Sequence, residues 1–103
     1  MKLAFDGFDW DEGNAAKCRR HGVSLEEIEA LFDSPLMILP DEAHSKAESR
    51  KWAIGKTTAG RRVFLVFTTR RKAGRHLIRP ISARYMHAKE IESYEKENPE
   101  ISE

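Results

Sequence analysis

Two short helix signals, a β-rich middle and a helical C-terminal run predict an α+β domain. The order is two N-terminal helices, an antiparallel sheet of three or four strands and a terminal helix, arranged as two layers. At 103 residues the chain can build one core but not two, so residues 1–103 read as a single domain. Hydrophobic residues at 40% and charged residues at 34% fit a globular protein with a modest interior.

Leu3, Phe5, Phe8 and Trp10 stand among small or polar neighbours, the pattern of a short strand or an extended lead-in. Asp11-Glu12-Gly13-Asn14 then offers capping groups and early negative charge. Lys17, Arg19, Arg20 and His21 bring late positive charge, and Gly22 stops the run. That layout suits a helix macrodipole. Ser24-Leu25-Glu26-Glu27 is a capping box, followed at helical spacing by Ile28, Leu31 and Phe32 and ended by Pro35. Leu36–Leu39 is a brief apolar strand, and Asp41–Glu48 is a polar loop. Lys51–Gly55 and Arg61–Thr69 are β-rich runs joined by a turn at Lys56–Gly60. Arg70–Arg75 turns into a third run, His76–Ala83. Pro80 lies inside it and cannot donate to a ladder, which predicts an edge position or a bulge. Met86–Glu97 reads as a helix, Asn98-Pro99 ends it, and residues 98–103 read as a frayed tail.

The net charge of +1 conceals an ordered distribution. No Asp or Glu occurs from Ser49 through Lys89. This block holds Arg50, Lys51, Lys56, Arg61, Arg62, Arg70, Arg71, Lys72, Arg75, Arg79, Arg84 and Lys89, twelve of the 18 basic residues. A block of about 40 residues without an acid should present positive potential on one face and attract phosphate. The alternative is that acids of the flanking helices fold over it and pair with its cations one by one.

No apolar run approaches the roughly 18–20 residues of a membrane span, and Met1–Asp6 reaches an acid too soon for a secretory leader. The single cysteine, Cys18, permits no internal disulfide and reads as a small buried residue, which points to a reducing cytoplasm. No paired Cys/His spacing marks a metal site, and no cofactor motif is present, so neither a metal nor a cofactor is expected.

Two segments are familiar together. Phe8-Asp9-Trp10-Asp11-Glu12-Gly13-Asn14, with Lys17-Cys18 and Arg20-His21-Gly22-Val23-Ser24, resembles the N-terminal signature of the BrnT toxins. Arg79-Pro80-Ile81-Ser82-Ala83-Arg84-Tyr85-Met86-His87, with Glu90 and Tyr94, is similar to their C-terminal signature. Ala53-Ile54-Gly55 and Val63–Arg70 fall where that family has its central hairpin. The resemblance implies a RelE/ParE-like fold and metal-independent endoribonuclease activity on RNA. It also implies neutralisation by a cognate antitoxin of ribbon-helix-helix type, through which alone DNA would be engaged. Where the family commonly has lysine before the histidine, this chain has Arg20, a far poorer proton carrier.

Metal-free RNA cleavage uses the 2′-hydroxyl as nucleophile, so the protein must orient it, move protons and spread charge on the phosphorane. His21 is the candidate for proton transfer, since an imidazole ordinarily titrates near 6.5; its other reading is a helix C-terminal cap. Arg84, placed at the end of the last strand, is the candidate phosphate clamp, and Arg70, at the end of the preceding one, is read as joining it across the sheet. Either arginine has the alternative of a solvated strand end. Lys17 and Arg20 lie three apart and would stand beside His21. Arg61, Arg62 and Lys72 read as diffuse RNA-binding charges. His76 and His87 are secondary candidates, and Trp10 and Trp52 could stack bases or fill the core. Two other functions stay open: a non-catalytic nucleic-acid-binding module, and a basic module that docks an acidic partner.

Overall fold

The computed structural model describes residues 5–41 and 49–97. Its elements are β1 (Gly7–Phe8), α1 (Glu12–Arg19), α2 (Leu25–Leu31), β2 (Met37–Pro40), β3 (Lys51–Lys56), β4 (Arg62–Lys72), β5 (Arg75–Tyr85) and α3 (Ala88–Glu97). The α+β order is as the sequence predicts, but the sheet is not. It has five strands in the order β1-β5-β4-β3-β2 and is mixed, because β1 runs parallel to β5. Gly7 and Phe8 pair with Leu77 and Ile78, and the Asp6 and Asp9 N–H groups donate to the carbonyls of His76 and Ile78. Two residues are too few to display an alternation. The Asp41–Glu48 loop, apart from Asp41, and the 98–103 tail lie outside the described residues, as do Leu3 and Ala4.

Local chemistry explains the helices. Asp11 caps α1 by accepting from the Asn14 N–H at 3.0 Å, while the Asn14 side chain accepts from the Asp11 N–H at 2.7 Å. Ser24 and Glu27 make the same reciprocal pair at α2, as their spacing predicts. At α3 the Glu90 carboxylate accepts from the His87 N–H at 2.9 Å, so helix begins at Ala88 rather than Met86.

The β4–β5 turn is tighter than Arg70–Arg75. Both strands continue inward until only Ala73 and Gly74 remain, each at positive φ, the conformation a twisted two-residue hairpin requires. Pro80 lies in an interior strand, because β1 covers the other side of β5. It is tolerated there by a bulge: Val66 pairs with Ser82 and Phe67 with Pro80, which leaves Ile81 unmatched.

The registers sort the sheet into two faces. Ala53, Leu65 and Ala83 share one, with Val63, Phe67 and Ile78, and this face carries α1 and α2 and the core. Phe32 of the α2 C-terminus sits at the centre, edge-on to Phe5, Phe8 and Phe67. The other face alternates with it and carries Trp52, Ile54, Phe64, Val66, Ser82 and Arg84. The third helix, α3, flanks this second face at one end, where Arg62 and Arg84 reach Glu95 and Glu90. The expected two layers are therefore joined by a partial third.

That placement overturns one assignment. Arg62 is not a diffuse surface charge: it is 7% exposed, ion-paired with Glu95 at 3.5 Å, and lies 5.2 Å from the Tyr94 ring centre. Arg62→Ala is expected to lower stability by about 1–2 kcal/mol, since it strands a partly shielded Glu95, and to leave RNA affinity nearly unchanged. Urea denaturation beside an RNA titration checks both halves; an unchanged midpoint with weakened RNA binding would restore the surface role.

Candidate functional site

Across the face opposite the core, the strand registers line up cations and aromatic rings. Thr68 pairs with Arg79 and Lys51 with Phe67, and Arg50, the residue just before β3, lines one cleft with Arg79. The N-terminal half of α1 reaches this end of the face because the Asn14 amide donates to the carbonyls of Asp9 and Pro80. Pro80 thus offers its carbonyl to the helix and withholds a donor from the ladder. Gly13, Asn14, Lys17, Arg50, Arg70, Arg79 and Ile81 line the resulting cleft of about 270 Å³.

The cleft brings together two of the sequence candidates, Lys17 and Arg70, and adds Arg50 and Arg79. Arg79 is held in place by carboxylates behind it, Asp11 at 2.8 Å and Asp9 at 3.4 Å. The Asn14 N–H, and then Arg79, hold the Asp11 carboxyl below the ordinary aspartate range, so it stays ionised. Asp9, almost buried, also receives the Lys72 ammonium at 3.0 Å. Lys72 is therefore tied to the cleft wall, although its side chain is 56% exposed. Arg79 escaped the sequence assignment although it opens the C-terminal signature. Only the register with Thr68 puts it beside Arg50.

Arg84 and Arg70 do not meet. Arg84 pairs with Phe64 and Arg70 with Leu77, six residues apart along β4, or about 20 Å. Arg84 lies within β5, not beyond its end, and its fork holds both oxygens of Glu90 at 2.7 and 2.8 Å. It also lies 5.0 Å from the Phe64 ring centre. The Glu90 hydrogen bond raises the Arg84 pKa further. Reciprocally, Arg84 first and the His87 N–H second hold the Glu90 carboxyl down to about 2.

His21 and Arg20 are exposed in the turn that follows α1. His21 follows the end of α1 and does not line the cleft. Nearby, the Tyr85 hydroxyl donates to Glu27 at 2.7 Å and Arg61 stacks 3.4 Å over the Tyr85 ring. Glu27 raises the Tyr85 pKa, and Tyr85, before the Ser24 N–H, lowers that of Glu27. Arg61 is thereby fixed against a ring. Among the remaining candidates, Trp10 packs against the core and donates to Glu29 at 2.8 Å, whereas Trp52 is exposed. His76 lies in β5, its N–H on Asp6, and His87 precedes α3. Burial pushes the Cys18 thiol up to about 11, which suits packing and not nucleophilic attack.

The acid-free block is thus partly neutralised from outside. Arg62, Lys72, Arg79 and Arg84 each meet a carboxylate of a flanking segment. No group of three or more His, Cys, Asp or Glu among the described residues is placed to hold a metal ion. No helix among them is long and apolar enough to cross a membrane.

A family model described as a ribonuclease toxin, BrnT, of type II toxin–antitoxin systems matches residues 10–90. None of the curated proteins compared matches the chain.

Proposed function

The chain belongs to the BrnT family of ribonuclease toxins of type II toxin–antitoxin systems, and from that premise we propose that it is a metal-independent endoribonuclease with its RNA laid across the open sheet face. One observation carries the placement: Lys17, Arg50, Arg70 and Arg79 converge on a single cleft. Four cations around about 270 Å³ suit a phosphodiester. Asp9 and Asp11 fix Arg79 without filling the cleft, so this arginine is presented in one orientation.

In this reading the 2′-hydroxyl attacks the adjacent phosphorus and the 5′-oxygen leaves. Lys17 and Arg70 hold a backbone phosphate of the strand in the cleft, and His21, in the turn after α1, moves the proton. About 20 Å along the sheet from Arg70, Arg84 adds its fork to the scissile phosphate as charge builds on the phosphorane, in exchange for Glu90. Arg20 and Arg61 contribute attraction at the rim. Neutralisation comes from a cognate antitoxin of ribbon-helix-helix type that covers the same face, and both substrate and partner belong to the cytoplasm. The direct test is to produce the chain alone and together with its cognate antitoxin. Growth should stop in the first case and resume in the second. Normal growth with abundant folded, unpartnered protein would refute the proposal.

The His21 role has its own check. His21→Ala should slow cleavage and flatten the acid limb of the pH–rate profile, because a general base is lost as pH falls and it protonates. Wild-type rates, with stability lower by up to ~1–2 kcal/mol, would assign His21 to helix capping instead.

A further inference from the structure

We propose that Trp52 is a nucleobase platform, the subsite that holds the base of a nucleotide whose phosphate lies in the cationic cleft. The inference rests on the reading of RNA as substrate and adds which part of the nucleotide binds where.

Trp52 is 37% exposed on the open face, in an interior strand, where an indole would ordinarily be covered. Phe64 braces it from the next strand, with ring centres 5.7 Å apart and planes tilted at 56°. Trp52 lines an open groove of about 530 Å³ together with Leu39, Ile54, Phe64, Met86 and Tyr94. Leu39, paired with Trp52 and 43% exposed, extends the apolar patch towards the sheet edge. Arg50 immediately precedes β3 and lines the cationic cleft, and Trp52 lies two residues on, about 6.6 Å away along the strand direction. That is the span of one nucleotide from phosphate to base. An aromatic face next to a cationic groove is how single-stranded nucleic acid is held, the cations taking the backbone and the ring taking the base. Charge favours a nucleotide as the occupant: the groove that Trp52 lines is mainly apolar, and Arg50, two residues away, lines the cationic cleft.

The probes are short single-stranded RNAs with 2′-O-methyl riboses, which cannot be cleaved, one with normal bases and one with abasic sites. Affinity is measured by filter retention of end-labelled probe, and stacking by indole fluorescence in the Trp10→Phe background, which leaves Trp52 as the reporter. The base-bearing probe should quench the indole strongly and the abasic probe only weakly. Trp52→Leu should weaken the base-bearing probe about tenfold and leave the abasic probe unchanged. Trp52→Tyr should retain most of the affinity. Arg70→Ala should weaken both probes alike. If Trp52→Leu binds both as wild type does, while Arg70→Ala still weakens both, the platform is wrong and the cleft stands. Equal RNA binding with lost capture of the antitoxin would give the patch to the protein partner and also overturn the platform. Failure of wild-type protein to bind either probe would reject the RNA reading itself.

Discussion

Arg84→Ala is expected to slow single-turnover cleavage of RNA by about 10²–10³ while reducing RNA affinity only slightly. The guanidinium already holds two oxygens of one anionic group, those of Glu90, in the two-point geometry that a phosphate would adopt. Ground-state phosphate has to compete with that carboxylate, whereas the more highly charged phosphorane competes better, so the interaction develops with the reaction. Lysine keeps the charge and loses the fork, so Arg84→Lys should also be substantially impaired. Both partners are 37% exposed, and pairs of this exposure add little to stability, so slow cleavage would not reflect unfolding. Acidity separates this group from His21. A carboxyl whose pKa is depressed on folding stabilises fully above its ordinary value and loses that contribution as pH falls through its folded value, here about 2. An acid limb near neutrality therefore cannot come from Glu90. If Arg84→Ala lowers affinity and rate by one small common factor, as the exposed Arg71→Ala should, Arg84 is an ordinary structural ion pair.

The largest effect on stability is expected at Phe32. This ring is 2% exposed and meets Phe5, Phe8 and Phe67 edge-on at centre distances of 5.8, 5.5 and 5.5 Å. Phe8 belongs to β1, Phe67 to β4, and Phe32 ends α2, so one side chain joins three parts of the chain. Phe32→Ala should cost about 3–5 kcal/mol, against a total of roughly 5–15 for a domain of this kind. The urea midpoint measures it, and growth arrest should weaken because less folded enzyme is present. A midpoint within about 0.5 kcal/mol of wild type would show that the core is not organised around this ring.

Much of the fold was legible because its signals are local. Ser24 and Glu27 satisfy each other over three residues, and Gly22 takes the left-handed φ at the helix stop. Pro80 announced a bulge, since its missing N–H has to be accommodated wherever the strand lies. What escaped was non-local. β1 is two residues long and finds its parallel partner some seventy positions away, through Asp6 and His76. The site divides in the same way. The acid-free block supplies Arg50, Arg70 and Arg79 of the cleft, but Arg62 and Arg84 meet α3 only because that helix returns over the second face. Arg50 and Arg79 become neighbours only when the β4–β5 register, with its bulge, is known. Arg70 and Arg84 both lay near strand ends in the sequence, but the hairpin puts those ends at opposite limits of the sheet.

The most direct test of the central claim is cleavage of a single RNA by the purified chain in excess EDTA, with the product ends identified. Attack by the 2′-hydroxyl predicts 2′,3′-cyclic phosphate and 5′-hydroxyl ends, a rate unaffected by the chelator, and loss of cleavage when Lys17 and Arg70 are both replaced by alanine. Cleavage abolished by EDTA, 5′-phosphate products, or full activity in the Lys17/Arg70 double variant would contradict it.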